Sequence, residues 1–272
     1  MPIEIPEHVL RESPWSISKA KVIAECSLHY DYQYIQKLKK ISEYEATLLG
    51  KAAHLVLELV LRDGLSIKDA FMHATDQFTL TENELEKLGA FHEAIANFVQ
   101  WVGNFKTKER VQRVFTEVKW GVDSAFNATP FFDVRNAPVK KVFFRGALDY
   151  AMLTARNDLV IVDHKTGHPK TLERYHDQIH AYAILALANI KGLRGVQAQI
   201  NHTVDGSQVW SPYIPVTEIR DSYQPWLLQF LNTSCEKLLK PAAATLNALC
   251  DWCEYRTVCP AYKKKSNGEI AK

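Results

Sequence analysis

Two carboxylates and an ammonium group fall close together in the stretch Arg145 to Gly167, RGALDYAMLTARNDLVIVDHKTG. Two runs rich in β-branched and apolar residues, 146–154 and 159–166, flank the turn-forming segment Ala155-Arg156-Asn157-Asp158, a pattern that predicts a β-hairpin. A loop of about three residues puts Asp149 directly across from Asp163, with Cβ atoms roughly 5 Å apart. Strand side chains alternate, so Lys165 shares a face with Asp163 while His164 points the other way. Two acids that close repel each other, and a hard cation such as Mg²⁺, which prefers oxygen ligands, fits the gap between them. Lys165 would then stand beside the metal, placed to orient a water or steady an oxyanion during in-line attack on phosphorus. The same residues also suit a solvated strand face, so other regions of the chain must decide.

A second group lies in CDWCEYRTVCPAYKKK, which holds Cys250, Cys253 and Cys259. The C-x₂-C-x₅-C spacing lets three thiolates converge on one centre, and a tetrahedral centre needs a fourth ligand. Cys26 is favoured for it over Cys235, which is expected to pack in the core of a helix. By spacing alone Zn²⁺ competes with an iron–sulfur cluster. An odd count of five cysteines points away from structural disulfides and toward metal ligation.

Length and composition set the frame. The 272 residues suffice for a sizeable core, and the net charge of +2 carries no strong nucleic-acid footprint, so any polyanion site must be a local patch. No apolar run approaches the ~20 residues needed to span a bilayer, and MPIEIPEHVL lacks a basic region followed by an apolar one; a cytoplasmic protein is expected. There are no internal repeats and no G-x-x-x-x-G-K-[ST] loop, which excludes an ATP-driven motor of that type within the chain.

The elements that must position these residues follow in order. Residues 15–40 read as a helix with Ser16 and Ser18 as N-cap candidates and Cys26 inside it or at a break. From Glu43 a helix apolar almost all round runs to Asp63-Gly64; Gly50 and His54 share one of its faces. A lone His on a buried helix is more often a hydrogen-bonded core residue than a ligand, unless a metal site is indicated independently, as the acid pair indicates here. Residues 66–110 continue helical, with a Thr81/Glu84 capping box. At Val111 the period turns to alternation, predicting a strand that carries Glu117: a third acid at the site, a partner for Lys165, or a solvent-facing residue. A loop over 127–141 leads into the hairpin. A helix from about 172 to 190 puts Gln178 and Tyr182 on one face, two strands flank Asp205-Gly206, and PWLLQFLNTSCEKLL is a further helix. The final SNGEIAK is expected to be a frayed tail.

Taken together, these motifs resemble the PD-(D/E)xK nuclease superfamily, and within it the RecB-like exonucleases with an iron–sulfur cluster: AddB-type nuclease domains, CRISPR-associated iron–sulfur nucleases and phage exonucleases. The resemblance spans SISKAKVIAEC to CDWCEYRTVCPAY, in the order first cysteine, G-x-x-x-H (Gly50–His54), strand glutamate Glu117, G-x-x-D (Gly146–Asp149), D-x-K-T (Asp163–Thr166), Q-x-x-x-Y (Gln178–Tyr182) and C-x₂-C-x₅-C. The residue between Asp163 and Lys165 is His164, where the family often has Tyr or Trp.

What the resemblance implies is an α/β fold with a restriction-endonuclease-like core. A central mixed sheet would be flanked by helices, and N- and C-terminal helical segments would be joined by a cysteine-ligated cluster. The expected organisation is a single nuclease domain over residues 1–272, with an N-terminal helical region (1–110), a nuclease core (111–215) and a C-terminal helical region (216–272). His54, Asp149, Asp163 and the carbonyl of His164 are implied as ligands of Mg²⁺ or Mn²⁺, Lys165 as the catalytic lysine, and Gln178 and Tyr182 as residues that position DNA or the lysine. Cys26, Cys250, Cys253 and Cys259 are implied as ligands of a [4Fe–4S] cluster. The implied activity is metal-dependent exonucleolytic hydrolysis of DNA ends or single strands, in recombination, repair or phage DNA processing, with a recombination or helicase partner. Competing expectations are a spacer-processing CRISPR-associated nuclease, a helicase-recruited nuclease subunit, and a non-catalytic zinc-containing DNA-binding module. Oligomeric state is not readable from the sequence.

Overall fold

The structure, a computed structural model, describes residues 5–40, 45–133 and 141–266. The middle of the 127–141 loop, the first residues of the helix expected from Glu43 and the terminal tail lie outside the described residues. In chain order the helices are α1 (Glu7–Arg11), α2 (Ile17–Glu25), α3 (Ser27–Tyr30), α4 (Glu45–Asp63), α5 (Ile67–Gln77), α6 (Glu82–Ala90), α7 (His92–Lys108), α8 (His176–Asn189), α9 (Val216–Glu218), α10 (Gln224–Glu236) and α11 (Pro260–Ser266). The strands are β1 (Arg113–Val122), β2 (Ala128–Thr129), β3 (Phe144–Leu153), β4 (Asp158–Lys165), β5 (Gly195–His202), β6 (Gln208–Trp210) and β7 (Ile214–Pro215). No helix among the described residues is long and apolar enough to cross a membrane.

The chain divides into two compact units, residues 44–224 and the pair of segments 1–43 and 225–272. The larger unit is built on a mixed sheet in the order β2-β1-β3-β4-β5-β6, with β7 pairing β5. All neighbours are antiparallel except β4 and β5, which run parallel because α8 carries the chain from one to the other. β4 is buried from Leu159 to His164, the near-continuous apolar run expected of a strand covered on both faces. Its alternation sorts the layers. Val160 and Val162 join Tyr150 and Met152 in a core with Val56, Leu57, Leu88, Ile95 and Phe98 of α4, α6 and α7, whereas Asp163 faces α8.

Local signals act where the sequence placed them. Thr81 and Glu84 form the capping box of α6, Ser16 caps α2 by accepting from the Lys19 amide, and Gly64 ends α4 at φ +71°. Asn157, at φ +60°, closes the β3–β4 hairpin. Gly146 leaves the room that Leu185 of α8 occupies: a Cβ there would lie 2.8 Å from Leu185 Cδ1.

In the smaller unit the helix expected over 15–40 is interrupted. Cys26 adopts extended backbone (φ −161°, ψ 109°) between α2 and α3, and a π-helical turn follows at Asp31–Ile35. The break is stabilised by the 243–245 segment, which takes the Leu28 amide, the Ser27 hydroxyl and the Cys26 sulfur as partners.

Candidate active site and cysteine centre

β3 and β4 bring the two acids together with one departure from a simple hairpin. Their recorded pairing runs from Leu153↔Leu159 to Tyr150↔Val162. Continued by one step it would set Asp149 against Asp163, but there the ladder stops and the Asp149 side chain takes over: its Oδ2 accepts the His164 amide at 2.8 Å.

His54 comes from α4. Its Nε2 donates to the His164 carbonyl at 3.2 Å, and its Nδ1 lies 3.6 Å from Asp149 Oδ2. Glu117 completes the group from β1. One ligand atom from each of His54, Glu117 and Asp149 lies within 4.8 Å of the other two, close enough to share a divalent ion. Burial raises the pKa of Glu117. Burial, and then the neighbouring Asp163, push Asp149 up to about 7, against the lowering pull of His54 and the His164 amide. Both shifts disfavour the charged forms of Glu117 and Asp149, and a cation placed among them would favour those forms. A cavity of about 450 Å³, lined by Gly50, Lys51, His54, Glu58, Phe78 and Glu117 among others, opens beside them.

Asp163 belongs to a second, adjoining network. It is ion-paired with Lys165, and its Oδ1 accepts from Gln178 Nε2 (2.7 Å) and from the Tyr182 hydroxyl (3.2 Å). Gln178 also donates to Tyr182 at 2.7 Å, so the expected i,i+4 pair on α8 acts as a clamp on one carboxylate. Burial opposes the charge of Lys165, but Asp163 and Asp149 outweigh it and its pKa is raised. The lysine is therefore a protonated cation at neutral pH, 5.9 Å from the centre of the Tyr175 ring.

The structure thus gathers His54, Glu117, Asp149, Asp163, the main chain of His164, Lys165, Gln178 and Tyr182 around the end of β4. The sequence reading passed over Asn201, whose Nδ2 lies 3.1 Å from His164 Nδ1 inside the sheet. The available signal was the alternation of β5, where Gln197, Gln199 and Asn201 alternate with apolar residues, and the structure buries Gln199 and Asn201.

In the smaller unit Cys26, Cys250, Cys253 and Cys259 line one cavity of about 50 Å³, together with Glu25, His29 and Thr245. The Thr245 amide donates to Cys26 Sγ (3.5 Å) and the Asn247 amide to Cys250 Sγ (3.3 Å). Cys235 lies elsewhere, buried, its thiol against the His8 carbonyl at 3.8 Å and its pKa pushed by burial to about 12.

Comparison with known proteins places this arrangement. No curated protein sequence matches the chain. Among solved structures it is similar to a candidate exonuclease from Eubacterium rectale (10% identity, 90% of this chain and 95% of that one, TM-score 0.46). It is also similar to protein VC1899 from Vibrio cholerae (11% identity, 82% of this chain and 58% of that one, TM-score 0.27). The family model of the PD-(D/E)XK nuclease superfamily matches residues 14–260, and with nearly the whole chain inside that match, the chain belongs to the PD-(D/E)XK nuclease superfamily.

Proposed function

We propose that this protein is a Mg²⁺- or Mn²⁺-dependent deoxyribonuclease that degrades DNA from ends or along single strands, with a [4Fe–4S] cluster held by Cys26, Cys250, Cys253 and Cys259. The observation that carries the reading is the juxtaposition of His54, Glu117 and Asp149, within 4.8 Å of one another, with the Asp163–Lys165 ion pair. Three ligands suited to a divalent ion stand beside a half-buried cation, and phosphodiester hydrolysis needs both.

His54, Glu117 and Asp149 would hold the ion, with Asp163 next to them. The ion, when bound, supplies Lewis acidity at the scissile phosphate and a more acidic water. Lys165 keeps its proton and offers a positive charge where negative charge grows on the phosphoryl oxygens. Gln178 and Tyr182 fix Asp163 by two hydrogen bonds to one oxygen, which holds Lys165 in register with it. The cavity beside His54 and Glu117 is large enough to admit a nucleotide-sized group.

For the cysteine centre the donor set fits a cluster. Four thiols face one cavity and two of them accept main-chain N–H groups, a pattern that stabilises thiolate charge. Such a cluster would tie residue 26 to the 250–259 segment and so join the two ends of the smaller unit.

The test is digestion of end-labelled linear, circular and single-stranded DNA with and without Mn²⁺. Loss of linear and single-stranded DNA, abolished by Asp163→Asn or Lys165→Ala, supports the reading. Undiminished Mn²⁺-dependent degradation by both variants would overturn it.

A further inference from the structure

His164 stands between Asp163 and Lys165 but turns its ring to the opposite face of β4, where it is 3% exposed. There it packs edge-on against Phe98 of α7, with ring centres 4.9 Å apart. Its main chain does something different. The His164 amide is the donor to Asp149, and the His164 carbonyl is the acceptor from His54. Two of the three residues that gather for a metal are therefore oriented by the backbone of this single residue, whose own position must be held to a fraction of an ångström for the group to keep its shape.

Parallel pairing sets His164 beside Asn201 on β5, and the side chains meet as well, Asn201 Nδ2 lying 3.1 Å from His164 Nδ1. Asn201 is 1% exposed. With the amide donating, Nδ1 accepts and the ring hydrogen sits on Nε2. The pair is a poor choice for stability alone. Asn201 Oδ1 and His164 Nε2 find no hydrogen-bond partner among the described residues, and an apolar pair of similar volume would avoid burying them. What the bond does supply is a rotational lock at the end of β4, where the backbone ladder to β3 has already stopped.

We propose that Asn201 is a positioning residue for the metal site: through His164 it fixes the end of β4 so that residue 164 presents its N–H to Asp149 and its C=O to His54. The inference rests on the metal-dependent reading above and extends it from the ligands to a partner on the far side of the sheet. Partners of this kind, removed, typically weaken metal binding by about 10- to 100-fold.

The experiment is calorimetric titration of the full-length protein with Mn²⁺ alone, without DNA, for the parent, Asn201→Leu, His164→Phe, the double variant and Gln199→Leu. Gln199 is the control. It is fully buried, two residues from Asn201 on the same strand, and its side chain has no bond to His164. The expected result is a loss of about tenfold or more in Mn²⁺ affinity for Asn201→Leu and for His164→Phe, no further loss in the double variant, and an unchanged affinity for Gln199→Leu. Circular dichroism identifies which variants fold, and either member of the pair suffices if the other does not. Folded Asn201→Leu or His164→Phe with parental affinity overturns the proposal. So does an equal loss in Gln199→Leu, which would reduce the effect to general damage to β5. Failure of the parent to bind Mn²⁺ would instead remove the metal-dependent reading itself, and the positioning role with it.

Discussion

Glu117 and Asp149 stand opposite each other on β1 and β3 at the one step between Arg113 and Val122 where the pairing of these strands is interrupted. The interruption has a backbone cause: Glu117 has φ +49°, the left-handed region, in the middle of a strand. A non-glycine residue there costs about 1–3 kcal/mol, and such strain gathers at functional sites, where the surrounding structure enforces it. Here it accompanies the placement of a carboxylate beside His54 and Asp149.

That strain makes glycine and alanine separable at position 117. Glu117→Gly is expected to be more stable than Glu117→Ala by about 1 kcal/mol, the reverse of the usual order within a strand. Both should weaken Mn²⁺ binding by at least about tenfold. Urea denaturation of the metal-free variants, with Mn²⁺ titration of each, measures the two effects; alanine equal to or above glycine in stability would refute the strained assignment.

The pKa of Asp149, near 7, carries a sign for metal binding. A cation needs the ionised carboxylate, so below that pH a proton competes for the ligand, and above it the competition ends. Mn²⁺ affinity should therefore climb with pH by at most about tenfold per unit for one displaced proton, then level off past the pKa. Titrations spanning about two pH units on either side, in buffers of different ionisation enthalpy, would register the released proton. A flat profile would count against a protonated Asp149 in the metal-free site.

Lys165 is set apart from the His54, Glu117 and Asp149 group by its pairing with Asp163. Lys165→Met is thus expected to lower the single-turnover rate of DNA cleavage by about 10²- to 10³-fold while Mn²⁺ affinity stays within about tenfold. Lys165→Arg should not restore the rate, since a larger planar guanidinium does not reproduce the compact ammonium that pairs with Asp163. Equal losses in affinity and rate would mean that the lysine acts on metal binding and not on the reaction.

The cysteines divide four to one. Alanine at position 26, 250, 253 or 259 should remove bound iron and visible absorbance from anaerobically purified protein, and Cys235→Ala should retain both. Colourless parent protein carrying zinc would replace the cluster with a Zn²⁺ site.

Much of this architecture was legible because its signals are short-ranged. The alternation around Asp149 and Asp163, the turn at Asn157, the capping box at Thr81 and the Gly206 turn between β5 and β6 each depend on a few neighbouring residues, and each appears where its residues call for it. The i,i+4 spacing of Gln178 and Tyr182 likewise translated directly into two hydrogen bonds on one carboxylate oxygen. At Cys26 the sequence left a position inside the helix and a break both open, and the structure has the break, held by partners more than two hundred residues away.

By itself, the sequence determined which side chains are candidates for chemistry and on which element each one rides, because element type follows from local period and turn residues. Only the tertiary structure decided how those side chains are shared out. Asp149 went to His54 and the His164 amide, Asp163 to Lys165, Gln178 and Tyr182, and Glu117 reached the first group through a left-handed residue that no strand pattern announces. The physical reason is that ligand geometry depends on how strands pair and where pairing stops. Those contacts join residues far apart in the chain, and their partners, Asn201 among them, show no chemistry until the sheet has formed.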